Sequence, residues 1–88
     1  MNDFYLISFN STHHAIRTEK LLKEAGLKFL TLPTPREITA SCGLSIKFEY
    51  EEIDKVNAIM SENNLDRRGI FHITKDEDGK KNAVKIED

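Results

Sequence analysis

The chain has 88 residues, of which 39% are hydrophobic and 32% are charged, a length and mixture that support one domain with one modest core. Its formal net charge of -2 argues against a nucleic-acid partner, because binding to phosphate backbones needs many lysine and arginine contacts made together. We expect neither membrane insertion nor secretion, since the sequence lacks a run of about 20 apolar residues and a basic amino-terminal segment followed by an apolar one.

The first predicted elements are a buried strand and an amphipathic helix. Residues Asp3 to Phe9 are almost all apolar or aromatic on both alternations, which is typical of a central strand. Ser11 and Thr12 offer oxygens that can cap a helix, and apolar residues then recur at helical spacing until Gly26. We therefore predict a first helix from Thr12 to Ala25.

Two short strands are predicted on either side of a stiff connection. Leu27 to Leu32 is apolar enough for a second strand, and Leu44 to Phe48 alternates apolar and polar residues as a half-buried third strand does. Pro33 and Pro35 restrict the backbone of the connection between them, which runs from Pro33 to Gly43. A connection of this length often has a function.

The remaining elements are a second helix, a last strand and a charged tail. Apolar residues at helical spacing predict the helix from about Glu51 to Asn63, and Ile70 to Thr74 alternates as a strand. The polar run that follows Thr74 has little to bury. We therefore predict one domain over residues 1–74 and a tail over residues 75–88, which is either flexible or, through Ala83 to Ile86, an added edge strand.

The predicted order of elements, βαββαβ, indicates an α+β fold. It matches the split βαβ sandwich of ferredoxin-like domains, in which both helices pack on one face of an antiparallel sheet. The first strand is apolar on both faces, which is more than two helices on one side can cover. We expect the open sheet face to bind a second copy of the chain, as a homodimer, or another protein.

This topology predicts a basic end of the sheet, because three connections emerge there. They carry Asn10 to His14 with the start of the first helix, then Arg36 and Cys42, then Arg67 and Arg68. A helix N-terminus and nearby guanidinium groups favour an anion. We expect Ser11, Thr12, His13 and Arg36 to stabilise an anion or a thiolate at this end.

Cys42 is the candidate nucleophile. It is the only cysteine, so it cannot form an internal disulfide, and a free thiol favours the reducing cytoplasm. Helix N-termini and neighbouring His or Arg side chains lower the pKa of a thiol from about 8.5 and raise the thiolate fraction. Gly43 leaves room beside the sulfur for a reaction partner to approach.

These residues carry a resemblance to a known family. The run from Pro33 to Leu44, with Ser11 to His13 and Glu19 to Gly26, resembles the selenium/sulfur (Se/S) carrier-like family of small bacterial proteins, over roughly Tyr5 to Phe48. The resemblance implies that Cys42 is the carrier thiol. The motif residues beside it are Pro33, Pro35, Arg36, Glu37, Ser41 and Gly43.

The resemblance implies a carrier or accessory protein rather than a self-sufficient enzyme. Cys42 would accept sulfur or selenium from a donor protein and pass it to an acceptor protein by thiol exchange. The carried atom would be bound covalently, and no separate cofactor is expected. An alternative is a regulatory module that binds a small anion or a protein, with Cys42 as a bystander.

The histidines do not predict a metal site. His13 and His14 are adjacent in the first helical turn and point about 100° apart, so they cannot share one ion as residues four positions apart do. His72 alternates with apolar residues on the last strand, and we assign it a structural role.

Overall fold

The computed structural model describes residues 3–36, 38 and 43–87. Along these residues the chain forms five strands and two α-helices, with one 3₁₀ turn at Tyr50–Glu52 before the second helix. The elements are β1 (Phe4–Ser8), α1 (Thr12–Glu24), β2 (Phe29–Pro33), β3 (Leu44–Phe48), α2 (Ile53–Glu62), β4 (Gly69–Lys75) and β5 (Lys81–Glu87).

The strands form one antiparallel sheet in the order β2-β3-β1-β4-β5. The prediction of an α+β fold with an antiparallel sheet is therefore confirmed. The sheet nevertheless has one strand more than the predicted βαββαβ order contains. This is β5, formed by the charged segment after Thr74, which pairs along β4 from Lys81 opposite Lys75 to Glu87 opposite Ile70.

Both helices contribute to one apolar core. Ala15 and Leu22 of α1 and Val56 and Met60 of α2 belong to the same buried cluster as a row of strand residues on one face of the sheet. We call this side the helix face. Its central strand residues are Ile7, Ile46 and Ile70, all fully buried.

The two ends of α1 differ in whether the predicted capping residue adopts its expected role. Gly26 follows the helix with a φ of +76°, a left-handed conformation that glycine adopts at little cost. This reversal brings the N–H of Leu27 to the carbonyl of Leu22 at 3.1 Å, so Leu27 packs against the core and β2 begins only at Phe29. At the other end, the side chain of Ser11 makes no capping hydrogen bond, contrary to our expectation for the N-cap.

The opposite side of the sheet, which we call the open face, has its own smaller cluster. Leu6 and Ile73 are buried there together with Ile38, a residue of the β2–β3 connection that is only 5% exposed. The turn that brings Ile38 onto the sheet is closed by a hydrogen bond from its N–H to the carbonyl of Pro35 at 3.1 Å. Part of the open face is therefore covered by the chain itself, which sequence reasoning did not anticipate.

The last strand is joined to α2 by polar side chains. Oε1 of Glu87 accepts a hydrogen bond from Nδ2 of Asn57 at 3.0 Å and lies 3.4 Å from a guanidinium nitrogen of Arg67. Arg67 also donates to Oδ1 of Asn57 at 2.7 Å. These contacts connect the edge of the sheet to the helix layer.

Candidate functional site at the β2–β3 connection

The two ends of the β2–β3 connection are held together by hydrogen bonds of Thr34, which we call the polar bracket. The N–H of Thr34 donates to the carbonyl of Gly43 at 3.0 Å, which extends the pairing of the two strands by one step. The hydroxyls of Thr34 and Ser45 lie 2.7 Å apart. Both ends of the predicted motif are thus held together on the sheet. Glu37, Ser41 and Cys42 lie outside the described residues.

Gly43 has open space beside its backbone. No atom of the described chain lies within 4 Å of a Cβ built on it, apart from its sequence neighbours. The room expected beside the sulfur of Cys42 stays a prediction, because Cys42 lies outside the described residues.

A buried hydroxyl lies next to the bracket. Ser8 is directly opposite Ser45 on β3 and Gly69 on β4, and directly opposed residues share one face of an antiparallel sheet. Ser8 and Ser45 are both fully buried. Within the described part of the chain the Ser8 hydroxyl has no hydrogen-bond partner, which is uncommon for a buried polar group.

Arg36 lies in a groove on the open face rather than at the predicted basic end. This basic groove has a volume of about 750 Å³. Its lining residues are Phe4, Leu32, Pro33, Thr34, Pro35, Arg36, Lys75, Gly79, Lys80 and Lys81. Phe4 begins β1, and Gly79 to Lys81 turn from β4 into β5, so the groove reaches toward the end of the sheet opposite to the one we predicted for Arg36.

The other predicted residues stay at the start of α1. Ser11 precedes the helix, Thr12 and His13 open it, and none of the three lines the basic groove. The next residue, His14, accepts a hydrogen bond at Nδ1 from the N–H of Asp66 at 3.1 Å, so the α1 N-terminus is indeed near the α2–β4 connection.

The two arginines of the α2–β4 connection do not form an anion site with Arg36. The guanidinium of Arg67 contacts Asn57 of α2 and Glu87 of β5. Burial lowers the pKa of Arg67, and the negative charge of Glu87 opposes that effect. Arg68 contributes its backbone, whose N–H donates to the carbonyl of Ser8 at 2.7 Å. The predicted proximity therefore holds for the α1 N-terminus and the α2–β4 connection, whereas Arg36 lines the basic groove and the guanidinium of Arg67 is engaged with Glu87 and Asn57.

His72 has the structural surroundings expected of it. Its ring stacks on Tyr5 with a centroid distance of 4.4 Å, and Nε2 lies 3.1 Å from Oδ2 of Asp3. The hydrogen bond from His72 lowers the pKa of Asp3. No group of three or more His, Cys, Asp or Glu side chains in the described residues could hold a metal ion.

Sequence reasoning missed the lysines of the basic groove. Lys75, Lys80 and Lys81 were assigned to a tail that is either flexible or, through Ala83 to Ile86, an added edge strand, and short alternations are weak evidence for a strand. The alternation of Val84 and Ile86 with Lys85 and Glu87 was the available signal. None of the helices in the described chain is long and apolar enough to span a membrane.

The comparisons with known proteins bear on the same region. No curated protein and no solved structure matches the chain. A family model described as "Putative Se/S carrier protein-like" matches residues 4–72, which include β1 to the middle of β4 and the whole β2–β3 connection. This match confirms the family indicated by the motif, and the chain belongs to the Se/S carrier protein-like family.

Proposed function

We propose that the protein carries sulfur or selenium on the thiol of Cys42 between a donor protein and an acceptor protein in the cytoplasm. The observation that carries this proposal is that the matched span, residues 4–72, contains the only cysteine of the chain. A single cysteine suits a carrier, because there is no second thiol to displace the cargo as an internal disulfide.

The proposed step is a thiol exchange that balances without an oxidant. The Cys42 thiolate attacks the outer sulfur of a donor persulfide, the donor's S–S bond breaks, and the donor leaves as a thiolate. Cys42 then holds the persulfide, and an acceptor thiolate removes the outer sulfur by the same exchange. Selenium would follow the same course as the outer atom of a selenenylsulfide.

The fold supports this proposal because the β2–β3 connection starts and ends on two neighbouring, paired strands. We propose that β1 to β4 with the two helices form a ferredoxin-like unit to which β5 is added. The order β1-α1-β2-β3-α2-β4 and the neighbours β2-β3-β1-β4 support it. The hydrogen bond between Thr34 and Gly43 then holds the connection that contains Cys42 at the end of two paired strands.

A thiolate at Cys42 needs stabilisation, and the proposed contributors are uncharged as well as basic. Ser11, Thr12, His13 and Arg36 keep this role as a prediction, although Arg36 lies in the basic groove. Hydrogen bonds to the charged form lower the pKa of an acid.

The experiment measures the reactivity of Cys42 directly. We expect the alkylation rate of the folded, reduced protein with iodoacetamide to rise with an apparent pKa below about 8.5, the ordinary value for a thiol. The same protein unfolded in urea serves as the matched control. Intact mass after incubation with glutathione persulfide should show one added sulfur in the wild type and none in Cys42→Ser.

A thiol that titrates identically in the folded and unfolded protein and accepts no sulfur would overturn the carrier function. The remaining candidate would then be the binding module with Cys42 as a bystander, which the cationic lining of the basic groove favours. That function predicts that Cys42→Ser binds inorganic sulfate or phosphate as well as the wild type does.

A further inference from the structure

The charged residues at the described paired positions of the open face are all of one sign. Residues directly opposite in the strand pairs share a face, and the pairings place four charged residues on the open face among the paired positions that the structure describes. They are Lys47, Lys75, Lys81 and Lys85. In a chain with a formal net charge of -2, this face is therefore locally positive.

The carboxylate of Asp76, in the β4–β5 turn next to the basic groove, accepts hydrogen bonds from the backbone of that turn. Oδ1 of Asp76 accepts hydrogen bonds from the N–H groups of Asp78 and Lys80, at 3.0 and 2.8 Å. Asp76 and Asp78 do not line the groove. Asp76 therefore bonds within the β4–β5 turn, and Lys75, Lys80 and Lys81 on either side of the turn line the groove.

The cations of the groove are not neutralised within the described chain. Arg36, Lys75, Lys80 and Lys81 take part in none of the ion pairs between described residues. All four are exposed. Lysines on an edge strand also discourage edge-to-edge pairing of sheets, but that explanation does not apply to Arg36, which lies in a connection, or to Lys75, which belongs to the interior strand β4.

The groove joins these cations to apolar surface. Phe4, Leu32, Pro33 and Pro35 line it together with the basic residues. An apolar floor between cationic walls suits an extended peptide in which acidic and apolar side chains alternate, because such a peptide presents both kinds of group at once. A single-stranded nucleic acid would need aromatic side chains on which successive bases stack, and Phe4 is the only aromatic residue among the described lining residues.

We propose that the basic groove is the docking site for an acidic, extended segment of the protein that exchanges sulfur or selenium with Cys42. This inference rests on the proposed carrier function and names the chemistry of its partner. Thr34 to Arg36 belong both to the groove and to the connection that contains Cys42, so a segment bound there lies beside that connection. Lys75, Lys80 and Lys81 lie outside the matched residues 4–72, so the family match does not bear on this wall of the groove.

The test uses the full chain and a fluorescein-labelled octapeptide of alternating glutamate and leucine, followed by fluorescence anisotropy. We expect saturable binding that weakens as the ionic strength rises. The variant K75E/K80E/K81E should bind at least about tenfold more weakly, because like charges across an interface repel strongly. The variant K75Q/K80Q/K81Q should lie between this variant and the wild type.

The matched control reverses the same number of charges on the helix side. Lys20 and Lys23 of α1 and Lys55 of α2 are exposed, and K20E/K23E/K55E should bind the peptide within about twofold of the wild type, since distant exposed charges are screened. Equal loss in the two charge-reversed variants would overturn the proposal. So would equal binding of a peptide with lysine in place of glutamate, tighter binding of single-stranded RNA, or self-association that blocks the peptide.

The design separates this inference from the carrier function. Cys42→Ser should bind the peptide as the wild type does, and K75E/K80E/K81E should keep the alkylation profile of Cys42. Loss of peptide binding with a reactive Cys42 would therefore contradict only the docking site. Peptide binding with an unreactive Cys42 would contradict only the carrier function.

Discussion

The helix face and the open face of the sheet are buried to the same extent at their centres but by different means. Ile7 and Ile46 on the helix face are fully buried beneath α1 and α2. Leu6 on the open face is also fully buried and Ile73 nearly so, but the described side chain packed against them from outside the sheet is Ile38 of the β2–β3 connection. One face is covered by regular helices and the other by part of a connection.

This difference assigns different tasks to the two faces. Helices bury a wide apolar surface, and burial of apolar surface is the dominant favourable term in folding. Among the described residues the connection covers the centre of its face through Ile38, and the rim of the open face carries the lysines and Leu30, 59% exposed. The structure therefore combines a stabilising helix layer with an open face that is available for binding. The connection from Pro33 to Gly43 contributes to both, because Ile38 covers the sheet and Arg36 lines the groove.

The largest expected difference comes from truncating a buried isoleucine on each face. Ile46→Ala should lower the free energy of unfolding by about 2–5 kcal/mol, because the cavity is enclosed by helices and sheet. Ile38→Ala should cost less, about 1–2 kcal/mol, since a connection can settle into the space more easily than a helix can. Urea denaturation followed by circular dichroism measures both.

Equal losses in these two variants would show that the connection is as rigid a cover as the helices. In that event the two faces would not differ in the way proposed here. An unchanged slope of the denaturation curve is the required control, because it shows that the denatured state is the same in each variant.

A smaller effect is expected at the contact between β5 and α2. Glu87→Ala removes the acceptor of Asn57 and the acidic partner of Arg67, whose side chain is only 14% exposed. We expect a loss of about 1–2 kcal/mol, toward the lower end of the values for a hydrogen bond to a charged group, because the Glu87 side chain is 38% exposed and solvent screens its charge. Thermal or urea unfolding measures it.

Glu77 provides the matched control, because it is an exposed acid in the β4–β5 turn. Glu77→Ala should change the free energy of unfolding by no more than about 0.5 kcal/mol. If Glu87→Ala is equally silent, the polar contacts do not hold β5 against the helix layer.

The smallest expected effects distinguish two buried serines on the open face. Ser45→Ala breaks the hydrogen bond to Thr34 and should cost about 1 kcal/mol. Ser8→Ala removes a buried hydroxyl without a partner in the described structure and should be neutral or stabilising by up to about 1 kcal/mol. A cost for Ser8→Ala equal to that of Ser45→Ala would mean that the Ser8 hydroxyl is bonded in the folded protein.

The sequence predicted most of the elements because their signals are local. The helical spacing from Ala15 to Leu22 and the glycine at position 26 define α1 within one residue of its observed end. The alternation from Leu44 to Phe48 matches β3 as observed. The family followed from the motif around Pro33 to Leu44, and the model match over residues 4–72 confirms it.

The site was predicted less completely, because its geometry depends on contacts between distant residues. Arg36 was expected beside Ser11 to His13, since the topology brings both connections to one end of the sheet. The turn from Pro35 to Ile38 instead folds the chain onto the open face, where Ile38 can bury its side chain. Burial of Ile38 on the open face thus accompanies the placement of Arg36 in the basic groove.

The sequence by itself determined the α+β class, the family and the identity of the single thiol, because these depend on periodicity, a motif and a count. Only the tertiary structure decided that β5 joins the sheet, that Ile38 covers the open face and that Arg36 lies in one groove with Lys75 and Lys81. The physical reason is that a charged edge strand and a folded connection are stabilised by partners far away in the sequence. No local sequence pattern predicts which distant residues such a segment will contact.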